Sequence, residues 1–263
     1  MALASTSDNA LVPRSDLSRF IQRVRVLRHG PSGDAFVRLP DGTVELVVRV
    51  LPGTGCDVHA LGPREHVQHK SATEVPPDTL GIQFKPGGAY PFFGLPMSEL
   101  AHRSLSIDRL WGPADGERLR ALLVDAPTVQ ARLRTLEAAL VDRLHRDDVF
   151  EPAAAYLVRR GIRLVTEAVE IPRVSDLART LGVSERNLRR AFDDVLGMGP
   201  KVFARLVRFQ RALRASASAS RGTRPDWGAI ATGVGYYDQA HLIADFRAVT
   251  GTTPTAWLRA RAA

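Results

Sequence analysis

Two stretches decide the fold: VSDLARTLGVSERNLRRAFDDVLGMGPKVFARLVRFQRAL (residues 174–213) and WGAIATGVGYYDQAHLIADFRAVTGTTPTAWL (227–258). They carry one short pattern twice. The first copy runs Ala178, Gly182, Leu188, Phe192, Gly197, Pro200, and the second Ala231, Gly235, Leu242, Phe246, Gly251, Pro254. The intervals are 4, 6, 4, 5, 3 and 4, 7, 4, 5, 3, so the extra residue falls just after the turn glycine, where a turn tolerates it.

Each copy reads as a helix-turn-helix. A small Ala lets two helices approach, a Gly supplies the turn, and Leu and Phe four apart pin the second helix inward. Ser175 and Ser184 are expected as N-caps of the first copy; Pro225 and Asp226 open the third helix, and Asp238 caps the fourth. Hairpins that merely pack have no reason to repeat the full spacing.

The two stretches resemble the DNA-binding region of the AraC family of bacterial transcription regulators, over both units and the helix between them. The resemblance implies two recognition helices, near 184–195 and 238–249, entering successive major-groove segments on one face of double-stranded DNA. In the first, Arg186, Arg189 and Arg190 match the family's base-contacting positions, and Arg pairs bidentately with guanine. In the second, Gln239 and His241 face outward, while Ala244 stands where many relatives carry a long polar residue. The expectation is asymmetric: the first helix reads mainly G-containing steps, and the second chiefly positions. Ser184, Arg205, Arg208 and Arg247 are expected on the DNA backbone. The connecting helix, Pro200 to about Ser216, makes a rod of ~25 Å at 1.5 Å per residue.

Charge agrees. Residues 171–263 hold 15 Lys and Arg against 7 Asp and Glu, whereas 1–170 hold 21 of each, so the whole net charge of +8 lies in the carboxyl-terminal third. Basic residues bind nucleic acid by releasing condensed counterions. A preference for Arg over Lys does not explain that asymmetry.

The amino-terminal part begins with an unpatterned leader, 1–15. From Phe20 to about Phe84 short alternating runs separated by Pro and Gly read as strands, with a hairpin expected where PDG (40–42) leads into TVELVVRVL. Helices follow at 115–124, 127–146 and 152–169, which places the domain boundary near Glu170. The fold class is therefore α+β: a small antiparallel sheet or barrel with helices (16–170), then an all-α domain (171–263) with two helix-turn-helix units and a linker helix. GIQFKPGGAYPFFGLPMSEL (81–100) and LPDGTVELVV resemble an amino-terminal domain, often compared with cupin-like sensors, that precedes some AraC-type domains; Lys85 stands where Arg is expected. That likeness implies a regulatory, ligand-sensing role. Phe84, Tyr90 and Phe93 are candidates for lining a pocket, with core packing as the commoner use of such aromatics.

The stripe Val129, Leu133, Leu136, Leu140, Leu144 reads either as a homodimer seam or as docking on the sheet. Cys56, His59, His66 and His69 fall within fourteen residues, but their spacing matches no zinc pattern, and the expectation is exposed loop histidines with no metal. No phosphate loop, nucleophile elbow or His-Glu-x-x-His helix occurs, so no catalytic residue or cofactor is implied. One cysteine excludes an internal disulfide, and no apolar run reaches membrane-spanning length; a cytoplasmic protein is expected. The sequence thus reads as a transcription regulator acting on DNA, with a small-molecule effector and, for an activator, RNA polymerase as further partners. The rivals are an enzyme with an appended DNA-binding domain and a protein-interaction module with incidental charge.

Overall fold

The computed structural model describes residues 13–27, 36–51, 55–70, 79–145, 153–218 and 225–262. In strand β3 (Glu45–Leu51) alternate residues take opposite faces. It lies at the centre of a five-stranded antiparallel sheet with β1 (Ile21–Leu27), β4 (Gly55–Leu61), β6 (Thr79–Phe84) and β7 (Ser104–Ser106), in the order β1-β6-β3-β4-β7. Register aligns Val24 with Ile82, Ile82 with Leu46 and Leu46 with Ala60, which makes one face continuously apolar. The other face is polar. Arg25 donates to Glu45 Oε1 at 2.9 Å, Arg38 lies 3.5 Å from Glu45 Oε2, and Gln83 donates to Thr43 Oγ1 at 2.8 Å. Gly81 lies under this network, because a Cβ there would come within 2.8 Å of the Glu45 carboxylate.

The hairpin expected at PDG does not form. β2 (Phe36–Arg38) pairs instead with β5 (Gln68–Lys70) in a separate two-stranded ribbon. Asp41 Oδ1 accepts the Thr43 N–H at 3.1 Å and Gly42 adopts φ 68°, a turn that sends β2 away from β3. Val37 and Leu39 then pack against the helical core rather than the sheet.

Helices α1 (Tyr90–Phe93), α2 (Met97–Leu100), α3 (Ile107–Trp111), α4 (Pro113–Asp125) and α5 (Val129–Leu144) accompany the apolar face of the sheet. Thr128 caps α5 by accepting the Ala131 N–H. Leu133, Leu136 and Leu140 are no more than 1% exposed in this first core, which removes the 127–146 stripe as a dimer seam: the sheet domain itself covers it.

The remaining helices are α6 (Ala153–Glu167), α7 (Val174–Leu181), α8 (Glu185–Leu196), α9 (Pro200–Ser218), α10 (Trp227–Gly233), α11 (Gln239–Thr250) and α12 (Pro254–Ala262). A second core gathers Phe192, Phe203, Phe209, Phe246 and Trp257, and Ala155, Val158 and Val165 of α6 belong to it. Gly161 makes this possible, since a Cβ there would meet the Phe192 ring at 2.9 Å. A smaller cluster of Trp227, Tyr236, Leu242 and Ala212 completes the second unit. The α+β arrangement matches the reading of the sequence, with an open sheet rather than a closed barrel among the described residues. Ser175 is not an N-cap: α7 starts one residue earlier, at Val174, with Arg173 at the cap position.

Candidate nucleic-acid interface

Gly182 turns the chain at φ 72°, and Ser184 accepts the Asn187 N–H at 3.2 Å, which starts α8. Leu188, Ala191, Phe192, Val195 and Leu196 are its buried face. At 100° per residue, Arg186 and Arg190 leave the helix opposite that face, and Asn187 and Arg189 flank them. All four are exposed. Arg189 is engaged by Glu185 one turn back, whereas Arg186 and Arg190 have no ion-pair partner among the described residues. The i,i+4 spacing already signalled the Glu185 pair. Asn187, also on the exposed side, was not among the expected contacts.

Asp238 caps α11, accepting the His241 N–H at 2.7 Å, and Leu242, Phe246 and Val249 are buried. The direction opposite these residues is held by Ala240, Ala244 and Arg247, all exposed. Gln239 and His241 are exposed but stand to the sides; the His241 ring packs edge-on against Tyr236 at 5.2 Å and lies 3.9 Å from Asp245. The second recognition helix therefore presents two short apolar side chains at its apex. Tyr237, 93% exposed immediately before the cap, is a further surface group that the sequence did not single out.

Arg205 and Arg208 make contacts within the protein. Arg205 pairs with Glu65 of the sheet domain at 3.1 Å. Arg208 pairs with Asp245 of α11 at 3.2 Å and lies over the Tyr236 ring, 5.3 Å from its centroid. Each guanidinium has an internal carboxylate partner, where the sequence reading had placed it on the DNA backbone. Burial, more than the nearby Asp245, pushes the Tyr236 phenol far above its ordinary value, so it stays protonated under the cation. Arg211 is likewise internal, donating to the Thr166 and Ala168 carbonyls at 2.9 and 2.8 Å where α6 ends.

The sheet domain grips this helical region at several points. Val67 N–H donates to the Val249 carbonyl at the end of α11 at 3.0 Å, and Gln210 of α9 donates to the Pro40 carbonyl at 3.0 Å. Gly197, at φ 73°, sits where a Cβ would lie 2.6 Å from the Met97 carbonyl oxygen.

The expected ligand aromatics are placed otherwise. Phe84 and Phe93 are sealed in the first core, with ring centroids 5.8 Å apart. Tyr90 is half-buried where the two cores meet. Cys56 and His59 stand on β4, not in a loop, and His59 Nε2 lies 2.5 Å from Asp57. Burial, reinforced by Asp57, pushes the Cys56 thiol up to about 11. His66 lies in the turn before β5 and His69 within it. Among the described residues no group of three or more His, Cys, Asp or Glu could hold a metal. No described helix is long and apolar enough to cross a membrane.

A sheet domain locked onto two helix-turn-helix units, each with an exposed recognition helix, defines a double helix-turn-helix DNA-binding protein. Residues 177–260 match the family model for a helix-turn-helix domain, and residues 9–106 match a domain of unknown function, DUF6597. The chain thus carries an AraC-type helix-turn-helix domain at its carboxyl end and a DUF6597 domain at its amino end. No curated protein matches the sequence. Among solved structures, the DNA-binding domain of the global transcriptional factor AdpA, in complex with a target DNA, is similar at 23% identity over 41% of this chain and 90% of that one, TM-score 0.33. ToxT from Vibrio cholerae is similar at 10% identity over 90% of this chain and 97% of that one, TM-score 0.45. ToxT of strain SCE256 bound to an unsaturated fatty acid is similar at 9% identity over 89% and 93%, TM-score 0.41.

Proposed function

We propose that the protein is a sequence-specific transcription regulator in which α8 and α11 occupy successive major-groove segments and the sheet domain controls their use. The observation that carries this reading is the pair of outward faces on two helices joined by one core: Arg186 and Arg190 on α8, Ala240, Ala244 and Arg247 on α11. The nineteen residues of α9 make a rod of ~28 Å. Successive groove segments on one face repeat every ~34 Å, which this rod plus the width of the flanking helices bridges.

The two helices read different chemistry. Arg186 and Arg190 present forks that fit guanine O6 and N7, with Arg189 available once Glu185 releases it. Ala240 and Ala244 let the α11 backbone approach closely and offer methyl groups to the thymine methyl. Ser184 and Arg247 face the phosphates. Arg205 and Arg208 hold the protein together.

The test is binding of the full chain to its own upstream DNA against a shuffled fragment of equal composition, over a salt series. Specific sites usually exceed non-specific ones by about a thousandfold or more. Equal affinity for both fragments, vanishing with salt, would overturn the reading. For the domain limits, the packing of α6 supports a boundary between α5 and α6. An effector bound by the sheet domain supplies the signal, and RNA polymerase is the further partner if binding raises transcription. A homodimer must use a surface other than the α5 stripe.

A further inference from the structure

The first turns of a recognition helix carry the residues that meet base edges in a major groove. Between Glu185 and Ala191 of α8 four side chains are exposed, and three of them are arginines. The fourth is Asn187, and the fold gives it no task. Its backbone N–H donates to the Ser184 hydroxyl at 3.2 Å, which fixes where the residue stands. Its side-chain amide makes no hydrogen bond among the described residues. Counted from the Ser184 cap it holds the third helical position, where Glu or Gln would reach back to the N–H of the cap. Asn is one methylene shorter and does not close that box. It is also a poorer helix former than the Ala that so open a position would accept.

Asn187 and Arg189 precede and follow the buried Leu188, so they stand on opposite flanks of the exposed face. The Arg189 flank is engaged by Glu185. On the other flank the neighbour of Asn187 is Arg190, three residues on and displaced along the axis by ~4.5 Å. That step is comparable to the ~3.4 Å between stacked base pairs. The two side chains therefore address adjacent pairs. Asp193, exposed, and Asp194, half-buried, follow in the next turn and repel phosphates, which confines the closest approach to the residues before them.

We infer that Asn187 is a specificity-determining residue that reads an adenine beside the guanine read by Arg190. Chemistry separates this role from a contact to the DNA backbone. A phosphate oxygen only accepts, so it would leave the amide carbonyl unpaired, and Ser184 and three arginines already supply donors there. Adenine presents the acceptor N7 next to the donor N6, and an amide matches both at once: its NH2 donates to N7 and its carbonyl accepts from N6. Guanine presents two acceptors at the same edge and suits the Arg forks instead. The assignment rests on the reading of α8 as a recognition helix and adds an uncharged position to what that helix reads.

The experiment selects duplexes from a randomised pool with the full chain, Asn187→Ala and Asn187→Asp. It then measures affinity for the parent consensus with 7-deaza-2′-deoxyadenosine in place of the selected adenine. The parent should select adenine at one position beside a guanine, and Asn187→Ala should lose that preference alone, by about tenfold. Asn187→Asp, which keeps the shape and removes the donor, should lose it too. Replacing N7 by carbon should weaken the parent by about fivefold and leave Asn187→Ala unchanged. Melting curves check that each variant folds. An adenine preference that survives in either variant, a loss equal across all sequences, or a deaza effect of the same size in Asn187→Ala would overturn the assignment. A parent that selects no consensus would overturn the reading of the chain as a regulator and this inference with it, whereas a consensus unchanged by Asn187→Ala would overturn the inference alone.

Discussion

Arg186, Arg189 and Arg190 were indistinguishable as letters, but the folded helix ranks them. Arg190 projects opposite the buried face with no ion-pair partner among the described residues, so Arg190→Ala is expected to cost about 1–3 kcal/mol of discrimination at one base position. Arg189→Ala should cost less, because the parent must first part Arg189 from Glu185. Selection from a randomised operator pool checks both; equal profiles for the two variants would sink the ranking. Cys56 gives a pH-dependent prediction. Its thiol, ordinarily titrating at 9.0, is raised to about 11 in the folded chain, so it stays protonated and should react slowly with iodoacetamide at pH 8 until the chain unfolds. The sign follows: the stability linked to this group is fully present below pH 9 and is lost as pH rises toward 11. The fall in melting temperature across that window should be smaller in Cys56→Ala.

At the scale of elements, the carboxyl-terminal units were legible because their signals are local. Gly182, Gly197, Gly235 and Gly251 all take positive φ, and Asp226, Asp238 and Ser184 all cap as their positions implied. Ser175 misled because Val174 enters the helix ahead of it. The sheet was less legible, since β1 pairs with β6 across more than fifty residues and β2 leaves its neighbour β3 for β5. Alternation marks a strand but does not name its partner. Two substitutions probe the packing. Phe192→Ala removes a fully buried ring and should cost about 3–5 kcal/mol. Asp238→Ala should cost about 1 kcal/mol while leaving the α8 preferences intact. Urea denaturation reads both, and a Phe192→Ala loss below that of Asp238→Ala would contradict the assigned core.

Across the whole molecule, what the sequence concealed is how the two halves meet. Arg205 read as a phosphate contact, and nothing in the sequence marks Glu65 as its partner. Their pairing predicts that Arg205→Ala leaves the salt dependence of DNA binding unchanged, whereas Arg247→Ala lowers its slope by about 1. Both side chains are about a quarter exposed, so a double-mutant cycle should find a coupling of no more than about 1 kcal/mol. A reduced slope in Arg205→Ala would return that residue to the DNA. The stripe on α5 was legible as apolar and ambiguous as to what covers it, because periodicity describes a face and not its neighbour.

The seating of α6 against Phe192, made possible by Gly161, bears on how the protein can be divided. A fragment cut where the repeated motif begins, near residue 174, would take the recognition helices and leave their support behind. The open flank of α8 would then expose apolar surface, and such a fragment should self-associate where one that retains α6 stays dispersed. The smallest separable DNA-reading piece is therefore longer than the pattern that reveals it.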